Sequence, residues 1–241
     1  MSKLSGQVVV ITGAAGNLGR AAAAAFARHG AKLVLVDVSL DHLRSSYAAQ
    51  DTDHLLLAAD LTNEGSVRTA VAAALAKFGK LAVLCNIAGG FHYGEPVHKA
   101  GPDVLRRMMD LNVATVINAV RFVVPSLIEA GSGTVINIGA AGHVQGHANM
   151  SAYAVAKSGV MRITESMAEE LHGTGVSVFC LMPTIIDTPQ NRTDMPDSDF
   201  SMWTPPEDIA EVMVLLTERA AGLMSGSLIP LKGKLKRERD K

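Results

Sequence analysis

Tyr153 and Lys157 stand four residues apart in "SAYAVAKSG", a stretch that reads as the start of a helix. Four residues place both side chains on one helical face, an ammonium beside a phenol. A free phenol titrates near ~10, so it needs a neighbouring positive charge to exchange protons near neutral pH. The residues just before the pair, Gly139, Ala140 and Ala141, carry no hydroxyl. The pair has acid–base capacity, and the glycine- and alanine-rich run at 139–141 offers no alcohol donor.

A second stretch is suited to a nucleotide. "TGAAGNLGR" (12–20) has glycines at Gly13, Gly16 and Gly19, with Asn17 and Leu18 between the last two. Placed between a strand and a helix, such a turn lets backbone N–H groups approach a diphosphate at the helix N-terminus. The next apolar run ends at Asp37, whose carboxylate can accept both ribose hydroxyls of an adenosine and would repel a 2′-phosphate. Neither Ala15 nor Val38 offers a cation against that repulsion, so NAD(H) is favoured over NADP(H). A turn or capping acid is the plain alternative for Asp37. Asp60, followed by Leu61, is a candidate partner for the adenine amino group or an N-cap-type residue. "CNIAGG" (85–90) offers Asn86 and the small Ala88, Gly89 and Gly90 at another strand end.

These stretches need a scaffold of alternating strands and helices. Apolar runs at 7–12, 32–37, 54–59, 81–86, 133–138, 176–182 and 227–231 read as strands covered on both faces. Helical stretches fall at about 18–29, 41–49, 63–78, 103–130, 152–172 and 206–221. The alternation predicts an α/β fold, a doubly wound parallel sheet with helices on both faces. One domain is expected over residues 1–231, followed by a charged tail, 232–241. The segment 184–208, rich in Pro, Asp, Ser and Thr, interrupts the rhythm and reads as a lid or binding loop.

Composition narrows the function. The chain has 241 residues, 48% of them hydrophobic, and a formal net charge of −1. The basic cluster "KGKLKRERDK" has mixed signs and reads as solvated, so no nucleic-acid partner is expected. Cys85 and Cys180 lie in apolar runs and read as reduced core thiols, with no metal site. No leader is read in "MSKLSGQVVVITG", and no apolar stretch approaches membrane-spanning length. A cytoplasmic protein without a membrane partner is the expectation.

Taken together, "TGAAGNLG", Asp60, "NIAG" (86–89), Asn112 in "DLNVA", Tyr153-x-x-x-Lys157 and "PTIIDT" (183–188) resemble the short-chain dehydrogenase/reductase family over nearly the whole chain. The resemblance implies a single-domain Rossmann-type fold, hydride transfer with a nicotinamide cofactor and a small-molecule substrate. It also implies a homodimer or homotetramer through helices such as 103–130 and 152–172. Gly13, Gly16, Asn17, Leu18 and Gly19 would hold the diphosphate, while Asp37, Asp60 and Leu61 would hold the adenosine side. Asn86, Ala88 and Gly89 would line the cofactor's path, and Pro183, Ile186 and Thr188 the nicotinamide end. Tyr153 would be the proton donor or acceptor, and Lys157 would supply the charge and bind the nicotinamide ribose. Asn112 would anchor a water in the proton relay; a local bond within its helix is the other reading.

Three departures stand out. Asn17 takes the family's middle glycine position, where its tolerance of left-handed angles would preserve the turn. Thr184 follows Pro183 in place of glycine. Ala140 occupies the position of the family's substrate-orienting serine. With "IDTPQNRTDMPDSDFSMWTP" and "SGSLIPL", these features resemble the dihydropteridine reductase branch, whose substrate is a conjugated quinonoid ring reduced with NADH. Phe91, Tyr93 and Trp203 would then wall a flat substrate pocket beside Ala140, unless they are ordinary loop packing. An ordinary carbonyl or alcohol dehydrogenase is the alternative, with Ser151, His143 or His147 replacing the serine. A non-enzymatic NAD-binding sensor is a third possibility.

Overall fold

The computed structural model describes residues 4–47, 54–143 and 145–234. Among them, seven strands form one parallel sheet: β1 (Val8–Thr12), β2 (Lys32–Asp37), β3 (Leu55–Ala58), β4 (Val83–Asn86), β5 (Gly133–Ile138), β6 (Val176–Pro183) and β7 (Leu228–Leu231). Their order is β3-β2-β1-β4-β5-β6-β7, with every pair parallel. The chain leaves β1 toward one edge and returns to β4 on the other side of β1. That reversal opens a crevice at the carboxyl ends of β1 and β4.

Unbroken apolar runs follow from two covered faces. Val9, Ile11, Leu33, Leu35 and Phe179 meet α1 (Asn17–Arg28), α2 (Leu40–Tyr47) and α8 (Pro206–Leu215) on one face. Val8, Val10, Val34, Val36 and Val178 meet α3 (Glu64–Phe78), α5 (Thr115–Glu129) and α6 (Ser151–Glu170) on the other. Alternate residues of a strand point to opposite faces, so both parities must be apolar. Burying each such side chain contributes about 1.5–3 kcal/mol.

Several boundaries differ from the sequence pattern. The helical stretch expected at 41–49 is seen through Tyr47, and residues 48–49 lie outside the described residues, as does 235–241 of the expected tail. The stretch expected at 206–221 ends as a helix at Leu215 and resumes as a 3-10 turn, Arg219–Met224. The long stretch near 103–130 consists of α4 (Pro102–Met109), a π turn (Asp110–Ala114) and α5. A π turn inserts a residue and widens the helix, and such turns concentrate at functional sites. This one contains Asn112.

That composite helix also corrects the reading of apolar length. Pro102–Glu129 spans 28 residues with a mean hydropathy of 1.6 over an 18-residue window, long and apolar enough by composition to cross a bilayer. Here Ala119, Val123 and Leu127 pack onto the sheet instead. A core helix and a spanning helix can share the same apolar composition, which by itself does not say what the apolar side chains meet.

A chain of buried amides joins the layers. Asn86 Nδ2 donates to Asn137 Oδ1, and Asn137 Nδ2 donates to Thr164 Oγ1, both at 2.9 Å. The Thr164 hydroxyl in turn donates to the Val160 carbonyl. The chain connects β4, β5 and α6 behind the crevice. Asn137→Ala leaves two buried polar groups without their partner, so urea unfolding should show a loss of about 1–3 kcal/mol.

Candidate active site

At the crevice, backbone geometry makes room for a diphosphate. Gly16 is the N-cap of α1, with no side-chain cap and no acidic residue in the first turn. The first N–H groups of the helix therefore lack the anion they favour. Gly13 has φ +65°, and a Cβ there would lie 2.9 Å from Ala88 Cα. A Cβ on Gly19 would collide with the Gly13 carbonyl. The turn is held from below by the Tyr47 hydroxyl, which donates to Ala14 O at 2.6 Å. Asn17 does not use the left-handed freedom expected of it: it is the first residue of the right-handed helix, and its Oδ1 accepts from Arg20 Nη2 at 2.7 Å. The left-handed residue of this turn is Gly13. Leu18 is buried in the core beneath.

On the adenosine side, Asp37 ends β2 and ties the turn to the sheet. Its Oδ2 accepts from Ala15 N at 3.0 Å and its Oδ1 from Val38 N at 2.8 Å. Asp60 is exposed, and its Oδ1 accepts from both the amide and the hydroxyl of Thr62. Those bonds hold its carboxyl below the usual range. Buried Leu61 offers its carbonyl to Asn118 Nδ2 at 2.9 Å, linking this turn to α5. Thr12 Oγ1 receives the amides of Ile87 and Ala88 at 3.0 and 3.2 Å, fixing the end of β4 beside the glycine turn.

The Tyr153–Lys157 face of α6 meets these strand ends. Lys157 is only 7% exposed, and its Nζ donates to Ile138 O at 2.9 Å. The ammonium lies 5.8 Å from the centroid of the Tyr153 ring. A Cβ on Gly89 would come within 2.7 Å of Asn112 Oδ1 and 3.5 Å of Lys157 Nζ, so β4, the π turn and α6 converge on a glycine. Asn112 braces the loop after β4: its Nδ2 donates to Gly90 O and Met108 O at 3.0 Å, and its Oδ1 accepts from Gly90 N at 3.3 Å. The bond to Met108, four residues back, is the local contact weighed from sequence. The two bonds to Gly90 add a long-range role.

Burial sets the electrostatics of the pair. Desolvation lowers Lys157 to about 8 and raises Tyr153 to about 12. Beneath them the buried Cys180 thiol is pushed up to about 11 by desolvation, against the pull of the Lys157 charge. The protein alone thus keeps Tyr153 as a protonated donor at neutral pH. Ala140, two residues beyond the end of β5, is buried and offers only a methyl group. A Cβ on neighbouring Gly139 would strike Cys180 Sγ at 2.7 Å, so the strand end presses against β6.

The aromatic residues divide. Phe91 and Tyr93 are 61% and 59% exposed in the loop after β4, and Phe91 meets Tyr153 edge-on at 5.0 Å. Trp203 does not join them. It is 3% exposed and packs on Phe200 at 4.6 Å, as an anchor of the segment after β6. That segment is folded upon itself. It contains α7 (Pro189–Asp194), a bridge between Ile186 and Thr204, and a two-pronged Arg192–Asp187 ion pair with Arg192 4.8 Å from the Phe200 ring. Pro183 closes β6, while Thr188 caps α7 by accepting from Asn191 N at 3.1 Å. His147 Nε2 is paired with Gly142 O. The side chain of His143 lies outside the described residues.

Residues 7–199 match the family model described as short chain dehydrogenase. The chain belongs to that family. Levodione reductase of Leifsonia aquatica is 30% identical, over 96% of this chain and 95% of that protein. Cis-4-hydroxycyclohexanecarboxylate dehydrogenase of Sinomonas cyclohexanicum is also 30% identical, over 94% and 95%. Among solved structures, the 3-ketoacyl-(acyl-carrier-protein) reductase of Brucella melitensis complexed with NADH superposes with a TM-score of 0.86 at 29% identity, covering 96% of this chain and 98% of that one.

Sequence reasoning missed Thr12, Tyr47, Asn137 and Asn149 as supports of this site. Asn137 left one signal, a polar residue inside the apolar strand "GTVINI". The others act through partners far away in sequence and leave none.

Lys157 supplies a pH test. It loses its proton near pH 8 in the fold but near 10.5 in the unfolded chain. Between those values the unfolded chain binds more protons, so the lysine's contribution to stability rises with pH. The stability of the native chain relative to Lys157→Met should therefore increase between about pH 7.5 and about pH 9, read from urea midpoints.

Proposed function

We propose that this dehydrogenase-family chain uses NAD(H) to reduce a flat, conjugated imine or quinonoid ring of pterin type. The observation that carries this reading is Ala140, a buried methyl side chain two residues beyond Ile138, whose carbonyl holds Lys157. A ketone gains from a hydroxyl aimed at its developing oxyanion, a contribution of roughly 1.5–3 kcal/mol. A conjugated ring can delocalise that charge, so it needs chiefly a proton at the acceptor atom. Phe91, exposed and edge-on to Tyr153, offers an apolar wall to such a ring.

The residues fit a nicotinamide dinucleotide. The uncapped N-terminus of α1 and the side-chain-free positions Gly13 and Gly19 suit the diphosphate, and Asp37 suits unphosphorylated ribose. This supports NAD(H) over NADP(H). Bound there, the cofactor supplies the hydride. Tyr153 delivers the proton from its hydroxyl, and Lys157 lowers the cost of the phenolate left behind. Asn112 keeps the Gly89–Gly90 backbone low enough for both to be reached. Leu105, Ile117 and Val155, exposed on α4, α5 and α6, support a homodimer or homotetramer. The two free, buried cysteines accord with a reducing, cytoplasmic setting.

A second reading, an alcohol or ketone dehydrogenase, has its support in the names of the ring-alcohol and ring-ketone relatives. Two measurements separate the readings. Purified protein should oxidise NADH faster with quinonoid dihydropterin than without it; an equal rate defeats the proposal. Ala140→Ser should leave ketone turnover low, whereas a gain of roughly ten- to hundredfold would favour the second reading. Asp37→Ser should narrow the preference for NADH over NADPH, measured as the ratio of their kcat/KM values.

A further inference from the structure

One residue near the mouth of the site adopts a backbone conformation that its type disfavours. Asn149 has φ +63°, and among the described residues it is the non-glycine residue with positive φ. Such a conformation persists only where neighbouring bonds impose it, and asparagine bears it better than most residues. Two bonds leave Asn149 for the same place. Its carbonyl accepts from Gly94 N at 2.8 Å, and its Nδ2 donates to the Tyr93 hydroxyl at 3.0 Å. The partners belong to the loop after β4, and Asn149 to the loop before α6, four residues ahead of Tyr153.

We propose that Asn149 is a positioning residue that clasps the 91–94 loop to the start of α6, so that Phe91 stands edge-on to Tyr153 and the substrate mouth keeps a fixed width. The left-handed turn at Asn149 lets main chain and side chain reach the same loop. Without it the carbonyl and the amide would point apart. Tyr93 is the other half of the clasp. Its ring is 59% exposed and its hydroxyl receives the Asn149 amide, so it acts as a latch rather than as a substrate wall. Phe91, two residues before it, is carried into contact with the proton donor. The clasp touches neither Lys157 nor the glycine turn, so it governs how substrate is admitted and leaves proton delivery and cofactor binding alone. The inference rests on Tyr153 being the proton donor, and it holds whichever ring is reduced.

The test is a double-mutant cycle with two readouts. Asn149→Gly retains the left-handed backbone and the Gly94 bond but removes the side-chain latch; Tyr93→Phe removes the same bond from the other side. Hydrogen exchange at the Gly94 amide should quicken about threefold or more in each variant, and the combined variant should be no faster than the singles. Asn149→Asp, whose carboxylate accepts from the Tyr93 hydroxyl, should restore protection. With quinonoid dihydropterin and with cyclohexanone as probes, KM should rise about three- to tenfold while kcat stays within about twofold. The NADH dissociation constant should not move. Wild-type exchange and KM in Tyr93→Phe would overturn the clasp, as would additive effects in the double variant or a loss confined to kcat. If neither probe is turned over, the proposed ring chemistry fails, and Gly94 exchange still decides the clasp.

Discussion

The site depends on keeping one ammonium nearly dry. Lys157 Nζ is held by a single strand-end carbonyl, that of Ile138, and burial lowers its affinity for a proton toward the neutral range. A charge kept out of water acts strongly on its neighbours, and the Cys180 thiol beneath it feels that pull. The same burial raises the Tyr153 phenol, so the two groups are matched in opposite directions. Such a cation tolerates little crowding. The residue facing it from the loop after β4 is Gly89, and a Cβ there would collide with Asn112 and touch the lysine.

Much of the surrounding architecture consists of side chains left out. Gly13 and Gly19 bring α1 against the strand ends, Gly139 lets β5 press on Cys180, and buried Ala140 adds only a methyl group beyond it. Polar groups then fix what the small residues leave loose. Thr12 and Asn86 occupy strand ends and Asn137 lies inside β5, and their side chains take backbone or amide partners there. The π turn does the same within a helix, bringing Asn112 to the Gly90 backbone. Buried, hydrogen-bonded polar groups of this kind hold a cleft in one arrangement.

The mouth of the cleft is built differently. The loop after β4 carries exposed aromatic residues there, and the segment after β6 is bonded to itself. Trp203 and Phe200 give that segment its own small core, and the Arg192–Asp187 pair closes it at the surface. These loops are tied down by bonds of their own, and they meet the Tyr153–Lys157 face through the Phe91 ring.

The sequence by itself determined the parallel α/β fold, the order of its elements, the glycine turn, Asp37 and the Tyr153–Lys157 face. Each is written in local periodicity or in spacing within one element, where backbone geometry alone fixes which side chains share a face. Tertiary structure decided the rest: that Trp203 anchors a segment instead of lining a pocket, that Asn17 is helical, that Asn112 braces Gly90, and that Asn149 reaches Tyr93 across 56 positions. It also decided that an apolar helix long enough for a bilayer lies on a sheet. These outcomes depend on contacts between residues distant in sequence, and no local pattern encodes which distant partner a side chain will meet.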